Sequence, residues 1–245
     1  MSVSIELNAP RTIVIEDRGK KYTLTLARIL KKHWLRYFEG ILSTSENQGG
    51  KRLDHFDSSA ARLELVEQCL ISAKGYALPD GKISIDQVED WKSMLPLSHR
   101  LGVANAIITV RVSETTEDTQ IALGQESVFL NAVWGADADG VMREFRGLHH
   151  NFKTPTADQQ RRFARDNTRS RVIGGSRNGK TQWLGAQATL AELYDELVVS
   201  VEGYAVDGAE QLDRATIVEY MDTYHKVAAV DALFAPAAAN VEDAE

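Results

Sequence analysis

ARLELVEQCLISAKGYA (residues 61–77) and TLAELYDELVVSVEGYA (residues 189–205) decide how this chain is built. Both carry apolar residues at helical spacing, and both end in Gly-Tyr-Ala. Tyr204 follows Tyr76 by 128 residues, and Glu64, Leu65 and Ser72 meet Glu192, Leu193 and Ser200 at the same offset. An Asp-Gly turn comes next each time, at Asp80-Gly81 and at Asp207-Gly208. HRLGVANAII (99–108) then answers to HKVAAVDALF (225–234), which sets His99 opposite His225 at an offset of 126. Working outward, IVIEDRGKKYTLT (13–25) and GVMREFRGLHHNFKTPT (140–156) share a short apolar run, a basic Gly turn, an aromatic and a Thr. A charged stretch follows each, and then a polar loop with Gly-Lys, at Gly50-Lys51 and Gly179-Lys180. Matching features in the same order mark an internal repeat.

The expected fold is α+β: two similar tandem units, each a short β-hairpin plus three to four helices, over residues 1–112 and 113–245. Residues 2–7 and 12–16 read as short strands with a basic turn after them at 17–21, followed by helices over 23–40 and 59–74 with Gly75 closing the second. Asp86 and Glu89 form a capping-box pattern for a helix over 84–95, and Pro96 separates it from another over 97–108. Residues 109–135 alternate apolar and polar, as strands around a polar turn at Ser113–Asp118 do. Thr156 and Gln159 spell a second capping box, with Pro155 beside it. LVVSVE (197–202) keeps the helical spacing of the segment before it. The acidic tail from Ala235 is expected to fray.

Composition narrows the class. With 43% apolar and 26% charged residues in 245, the chain has an ordinary globular balance, which excludes collagen-like and low-complexity classes. The lone Cys69 cannot form an intramolecular disulfide and sits on an apolar helix face, as a core residue does. No run approaches a membrane span, and the N-terminal MSVSIELNAP lacks the basic start of a signal peptide. No His/Cys cluster has metal-ligand spacing, and no cofactor is expected. His99 and His225 stand before matching apolar faces, where a packing or capping role suits them. Asp195 and Glu196 are sequence neighbours, so on a helix they point apart and form no carboxylate dyad.

The net charge of −7 conceals opposed blocks. Residues 11–36 hold eight Lys/Arg and two Asp/Glu, a net of +6. Residues 143–180 hold ten and three, a net of +7, and residues 181–245 hold two and thirteen, a net of −11. Such runs arise on solvated helix faces. They also suit docking of the basic front of one copy on the acidic back of another, through Arg28, Lys31, Lys32, Arg161, Arg162 and Arg165. A third reading is nucleic-acid contact by the Arg-rich segment 157–177, with Arg169, Arg171 and Arg177 joining the cluster. Only Phe163 is available there to stack on bases, which ranks nucleic acid below assembly.

GGSRNGKT (174–181) matches the phosphate-loop pattern, with Gly174 and Gly179 shaping the loop, Lys180 reaching phosphate oxygens and Thr181 holding Mg²⁺. Its flank RDNTRSRVI lacks the continuous apolar strand such a loop needs. The corresponding loop TSENQGGKRL lacks the first Gly and the final Ser/Thr, so nucleotide binding stands as an alternative to a non-enzymatic role.

A basic hairpin before a Thr-Pro-Thr-Ala-Asp helix start, a middle helix ending in Glu-Gly-Tyr and a last helix ending in Ala-Val-x-Ala-Leu-Phe together resemble tailed-phage morphogenesis proteins of the tail-assembly or neck/tail accessory type. The resemblance covers about 11–108 and 140–234. It implies a non-enzymatic interaction protein in virion or tail assembly, self-associating with other assembly proteins as partners. It would be cytoplasmic during assembly or carried in the virion. The resemblance assigns no functional residue, and the repeated unit departs from the usual single one.

Overall fold

In the computed structural model of the chain, the residues described are 4–48, 51–77, 85, 88–112, 124–167, 170–173, 180–183 and 186–235. They form a mixed α+β fold. Its first half runs β1 (Ile5–Glu6), β2 (Arg11–Asp17), β3 (Lys20–Leu26), α1 (Lys31–Gly40), β4 (Leu42–Gln48), β5 (Lys51–Asp57), α2 (Ser59–Cys69), β6 (Leu70–Lys74), α3 (Trp91–Met94) and α4 (Leu97–Ile108). After β7 (Val110–Val112) come β8 (Gln125–Ala136), β9 (Met142–Phe145), β10 (Leu148–Lys153), α5 (Ala157–Asn167), β11 (Ser170–Ile173), β12 (Lys180–Trp183), α6 (Gln187–Leu197), β13 (Val198–Glu202), β14 (Tyr204–Ala205), α7 (Arg214–Tyr220) and α8 (Thr223–Leu233).

Two antiparallel sheets carry the architecture, and their central three strands have the same order. β2-β3-β6 forms one, and β8-β10-β13 recurs in the other, where β7 and β9 also pair with β8. The β2–β3 hairpin closes through Arg18 (φ 51°) and Gly19 (φ 73°). Both are left-handed, the geometry that matches the strand twist across a two-residue turn. A bulge falls at the same place in both sheets, between Thr25 and Leu26 in one and between Asn151 and Phe152 in the other. The first sheet packs its Leu24, Leu26 and Leu70 against Trp34, Leu65, Val66 and Val103 from α1, α2 and α4. The second packs Leu130, Phe152 and Val198 against Leu190, Leu193, Tyr194 and Val230 from α6 and α8.

The halves interleave at their junction. β1 leaves the first half and pairs in parallel with β14, which buries Ile5 and Leu7 in the second core. Glu6, buried beside it, accepts the amides of Asp207 (2.9 Å) and Gly208 (3.0 Å). It thereby fixes the Asp-Gly turn expected there. In return, Ala136 and Met142 of the second half enter the first core. A third sheet joins the halves directly: the hairpins β4–β5 and β11–β12 meet through antiparallel pairing of β12 with β4.

Several expected helices are shorter. Residues 23–26 belong to β3, and α1 begins only at Lys31. Thr23 and Thr25 are β-branched and alternate with Leu24 and Leu26, and that alternation outweighs the helical reading. The helix expected over 59–74 ends at Cys69, and 70–74 turn directly into β6. LVVSVE likewise supplies β13, not a helix continuation, since Val198, Val199 and Val201 favour the pleated edge of β10. Gly75 therefore ends a strand, at φ 95°. The strand answering β2 is β8, upstream of the 140–156 segment matched to 13–25 in the sequence. The break at Pro96 and the Thr156–Gln159 capping box stand as expected: Gln159 Oε1 accepts the Thr156 amide at 3.0 Å and Thr156 Oγ1 accepts the Gln159 amide at 3.3 Å. The Asp86 cap, the turns at Asp80-Gly81 and Ser113–Asp118, and the tail beyond Ala235 lie outside the described residues.

Candidate interaction surface

The junction of the two halves gathers most of the charged residues that the sequence singled out on α1. Arg28 lies on the approach to α1 and donates to the Glu219 carbonyl oxygen at 2.8 Å, with its guanidinium carbon 4.3 Å from the centre of the Tyr220 ring. Lys31, in the first turn, reaches Asp195 of α6 at 3.6 Å. Lys32 is exposed. Between these cations Trp34 is fully buried and stacks on Tyr224 of α8, ring centroids 5.1 Å apart. The basic front of the first half thus lies on the acidic helices of the second, with an aromatic pair inside a charged rim.

Behind that rim the contact is polar and buried. Arg11 of β2 forms an ion pair with Asp222, the N-cap of α8, and both residues are less than 10% exposed. Asp222 also accepts the Tyr224 amide at 2.8 Å. Burial raises its carboxyl pKa, but Arg11, His225 and the amide outweigh it, and the net shift is downward. Lys226, 2% exposed, donates to Asp195 (2.5 Å) and to the Val218 carbonyl oxygen (2.6 Å). Its pKa is lowered by burial and supported by Asp195.

A histidine–tyrosine chain runs inward from this point. His150 lies between the Tyr194 and Tyr204 hydroxyls, each 2.9 Å away, and Tyr204 reaches His225 Nδ1 at 3.4 Å. Burial pushes His150 down to about 3 and His225 to about 4, so both imidazoles are neutral at pH 7. The first half repeats the motif: the Tyr76 hydroxyl meets His99 Nδ1 at 2.7 Å, and the far side of His99 faces Asp17 at 3.3 Å. Each Gly-Tyr-Ala tyrosine therefore clasps the histidine at the head of the last helix of its half, which gives His99 and His225 the packing role expected of them. Two ion pairs also recur. Arg36–Glu64 answers to Arg162–Glu192, and Arg100–Glu67 (2.7 Å) answers to Lys226–Asp195 (2.5 Å).

The second basic front stays within its own half. Arg162 bridges Glu192 (2.5 Å) and Glu196 (2.6 Å), Arg161 pairs with Asp158 (3.0 Å), and Arg165 pairs with Asp166 (2.8 Å). The arginine segment is not one helix, because α5 stops at Asn167 and Arg171 lies in β11. Arg169 and Arg177 fall outside the described residues. Asp195 and Glu196 point apart, one toward the two lysines and the other toward α5.

The phosphate-loop pattern lands on a hairpin. Gly174 and Gly179 lie outside the described residues, while Lys180 and Thr181 stand in β12, paired with Ile173 and Val172 of β11. A phosphate loop instead places its Lys and Ser/Thr in the first turn of a helix, where the amides converge on the anion. Here α6 begins only at Gln187.

Cys69 is 1% exposed, with its Sγ 3.4 Å from His33 Nδ1, and burial pushes its thiol up to about 11. A thiol held protonated in this way is a poor nucleophile. Among the described residues no group of His, Cys, Asp and Glu could hold a metal ion, and no helix is long and apolar enough to cross a membrane.

Sequence reasoning missed Arg11, Trp34, Tyr194, Tyr204, Asp222, Tyr224 and Lys226. Two signals could have found some of them: Tyr204 in the repeated Gly-Tyr-Ala, and Asp222 immediately before α8, at its N-cap position. Comparison of the chain with protein-family models, curated proteins and solved structures finds no match.

Proposed function

We propose that the chain is a non-enzymatic interaction protein, two related units arisen by tandem duplication, which works with other assembly proteins in building a tailed-phage virion or tail. The observation that carries the interaction reading is the docking of Arg28, Lys31 and Trp34 on α6, α7 and α8. It has the anatomy of a subunit contact, an aromatic centre with a charged rim, formed here inside one chain. The recurrence of sheet order, bulge, Tyr–His clasp and ion pairs supports duplication. The phage setting rests only on the resemblance of the basic hairpin, the Thr-Pro-Thr-Ala-Asp helix start, the Glu202-Gly203-Tyr204 segment and the end of the last helix, and Glu202 and Tyr204 lie in β13 and β14, not at the end of α6.

Light scattering with negative-stain microscopy at rising protein concentration tests this reading, with the expected result being discrete complexes larger than one chain. A purified protein that binds ATP or GTP with Mg²⁺, and loses that binding in Lys180→Ala, would replace it with the nucleotide reading. DNA binding that weakens steeply with salt and is lost in Arg161→Ala/Arg165→Ala would replace it with the nucleic-acid reading.

A further inference from the structure

The joint between the two halves is directional. At the shared sheet, the second hairpin strand of the second half (β12) pairs with the first hairpin strand of the first half (β4). At the helices, the front of the first half covers the back of the second. A two-fold arrangement would pair like with like, whereas this one pairs unlike surfaces. It therefore leaves one of each unused: the second hairpin strand of the first half and the first hairpin strand of the second. Among the described residues, β5 and β11 pair on one side only. Such edges present a row of unpaired amides and carbonyls to any strand of suitable register.

The helical surfaces beside these edges match the same logic. Aligning α4 with α8 at the His99–His225 offset sets Met94 opposite Tyr220 and Leu97 opposite Thr223. In the second half these positions lie under or beside the docked front: Tyr220 carries Arg28, and Thr223 is 2% exposed. In the first half Met94 is 56% and Leu97 53% exposed, with Glu89 and Asp90 exposed close by. The corresponding front, α5, presents Gln160, Arg161 and Arg165 as exposed residues. An apolar, acid-flanked back and an arginine-bearing front, whose Arg161 and Arg165 pair with Asp158 and Asp166 of the same helix, are thus exposed in the single chain.

We infer that a second copy of this chain occupies these surfaces head to tail, its β5 edge pairing antiparallel with β11 and its Met94–Leu97 face meeting α5. The proposal deepens the assembly reading above and rests on it. The intramolecular joint supplies the register. Gln182 faces Thr44 and Thr181 faces Ser45 there, and the hairpin pairs Thr44–His55 and Ser170–Trp183 align the two hairpins. Carrying that register to the free edges sets Asp54 opposite Ser170 and Leu53 opposite Arg171. Repeated unlike contacts of this type generate a ring when the rotation closes and a filament when it does not. The intermolecular contact is the more polar of the two, since α5 offers Gln160 where α1 offers Trp34. It is accordingly weaker and more sensitive to salt than the joint within the chain.

Opposed residues on antiparallel strands have Cα atoms about 4.5–5.5 Å apart, which is within disulfide range. The test uses the full-length chain with Cys69→Ala throughout. Asp54→Cys protein is mixed with Ser170→Cys protein under mild oxidation. The expected result is a reducible band of twice the chain mass in the mixture and in neither protein alone, lost when Leu97→Asp is added to the Asp54→Cys chain. A Thr44→Cys/Gln182→Cys chain, expected to close an internal disulfide, reports that the substituted background retains the shared sheet. No band in the mixture, or an equal band from Asp54→Cys alone, overturns the head-to-tail joint. Light scattering then separates the two failures. Complexes without the cross-link overturn this joint and leave the assembly reading standing, whereas a strict monomer overturns both.

Discussion

Asp222→Asn isolates the buried charge that ties the two halves together. Asn keeps an oxygen to accept the Tyr224 amide and so preserves the helix cap, whose loss alone costs about 1 kcal/mol. What disappears is the negative charge facing the guanidinium of Arg11, a residue 7% exposed. Stranding one partner of a buried pair costs about 3–5 kcal/mol, a large share of the ~5–15 kcal/mol stability of a typical domain. Arg11→Met is the milder single change, because the Asp222 carboxyl left behind can take up a proton and neutralise itself. The double variant Arg11→Met/Asp222→Asn leaves no charge stranded, and its loss should fall about 2 kcal/mol short of the sum of the singles. Urea denaturation read by tryptophan fluorescence and far-UV circular dichroism measures all four corners. Trp34 stacks on Tyr224 across the same junction, so fluorescence reports its opening. A loss under about 1 kcal/mol for Asp222→Asn, or strict additivity of the two singles, would refute the argument that this pair holds the halves together.

Other consequences are open to direct measurement. His150 and His225 sit at about 3 and about 4 in the fold, below the ordinary histidine value, so between pH 6.5 and 4 the unfolded chain binds more protons than the folded one. Their contribution is intact above about pH 6.5 and is lost as pH falls toward 4. The urea midpoint should therefore drop over that range, and a flat profile would contradict the buried network. Gly75→Ala places a Cβ 2.8 Å from the Lys21 carbonyl oxygen at φ 95°, and should cost ~2 kcal/mol or more in a thermal melt. A loss within ~0.5 kcal/mol would show that the β3–β6 edge is looser than described. Trp34→Ala should cost about 3–5 kcal/mol. Trp34→Phe should cost much less, since the buried indole N–H has no hydrogen-bond partner among the described residues. Equal losses would show that the N–H is satisfied.

Local pattern carried much of the fold, and it failed where two periodicities overlapped. The basic turn at Arg18-Gly19, the Pro96 break, the 207–208 turn and the Thr156–Gln159 cap each follow from short-range rules that tertiary contacts reinforce. Residues 61–77 and 189–205 defeated those rules, because a helix passes into a strand with no Gly or Pro between them. Cys69 to Leu70 and Leu197 to Val198 are the switch points, and the strand after each is fixed by a neighbour more than 40 residues away in sequence. The site was less legible than the fold. A basic run has the same appearance whether it docks on another element or bonds within its own. Only contacts between distant residues distinguish Arg28 from Arg162.

The two fronts nevertheless differ in a way the sequence records once they are aligned. Arg36 and Arg162 hold equivalent acids, which places Trp34 opposite Gln160 and Phe38 opposite Ala164. A face buried against α8 can carry tryptophan and phenylalanine, because burial repays their transfer from water at about 25 cal/mol per Å². A face exposed in the single chain cannot do so without becoming an aggregation site. Under the duplication reading, the pair of positions reports which front is permanently covered. On that reading a front whose partner surface lies in the same chain can become apolar at no cost in solubility, whereas the proposed head-to-tail contact with another copy requires a front that is tolerated in water until it docks.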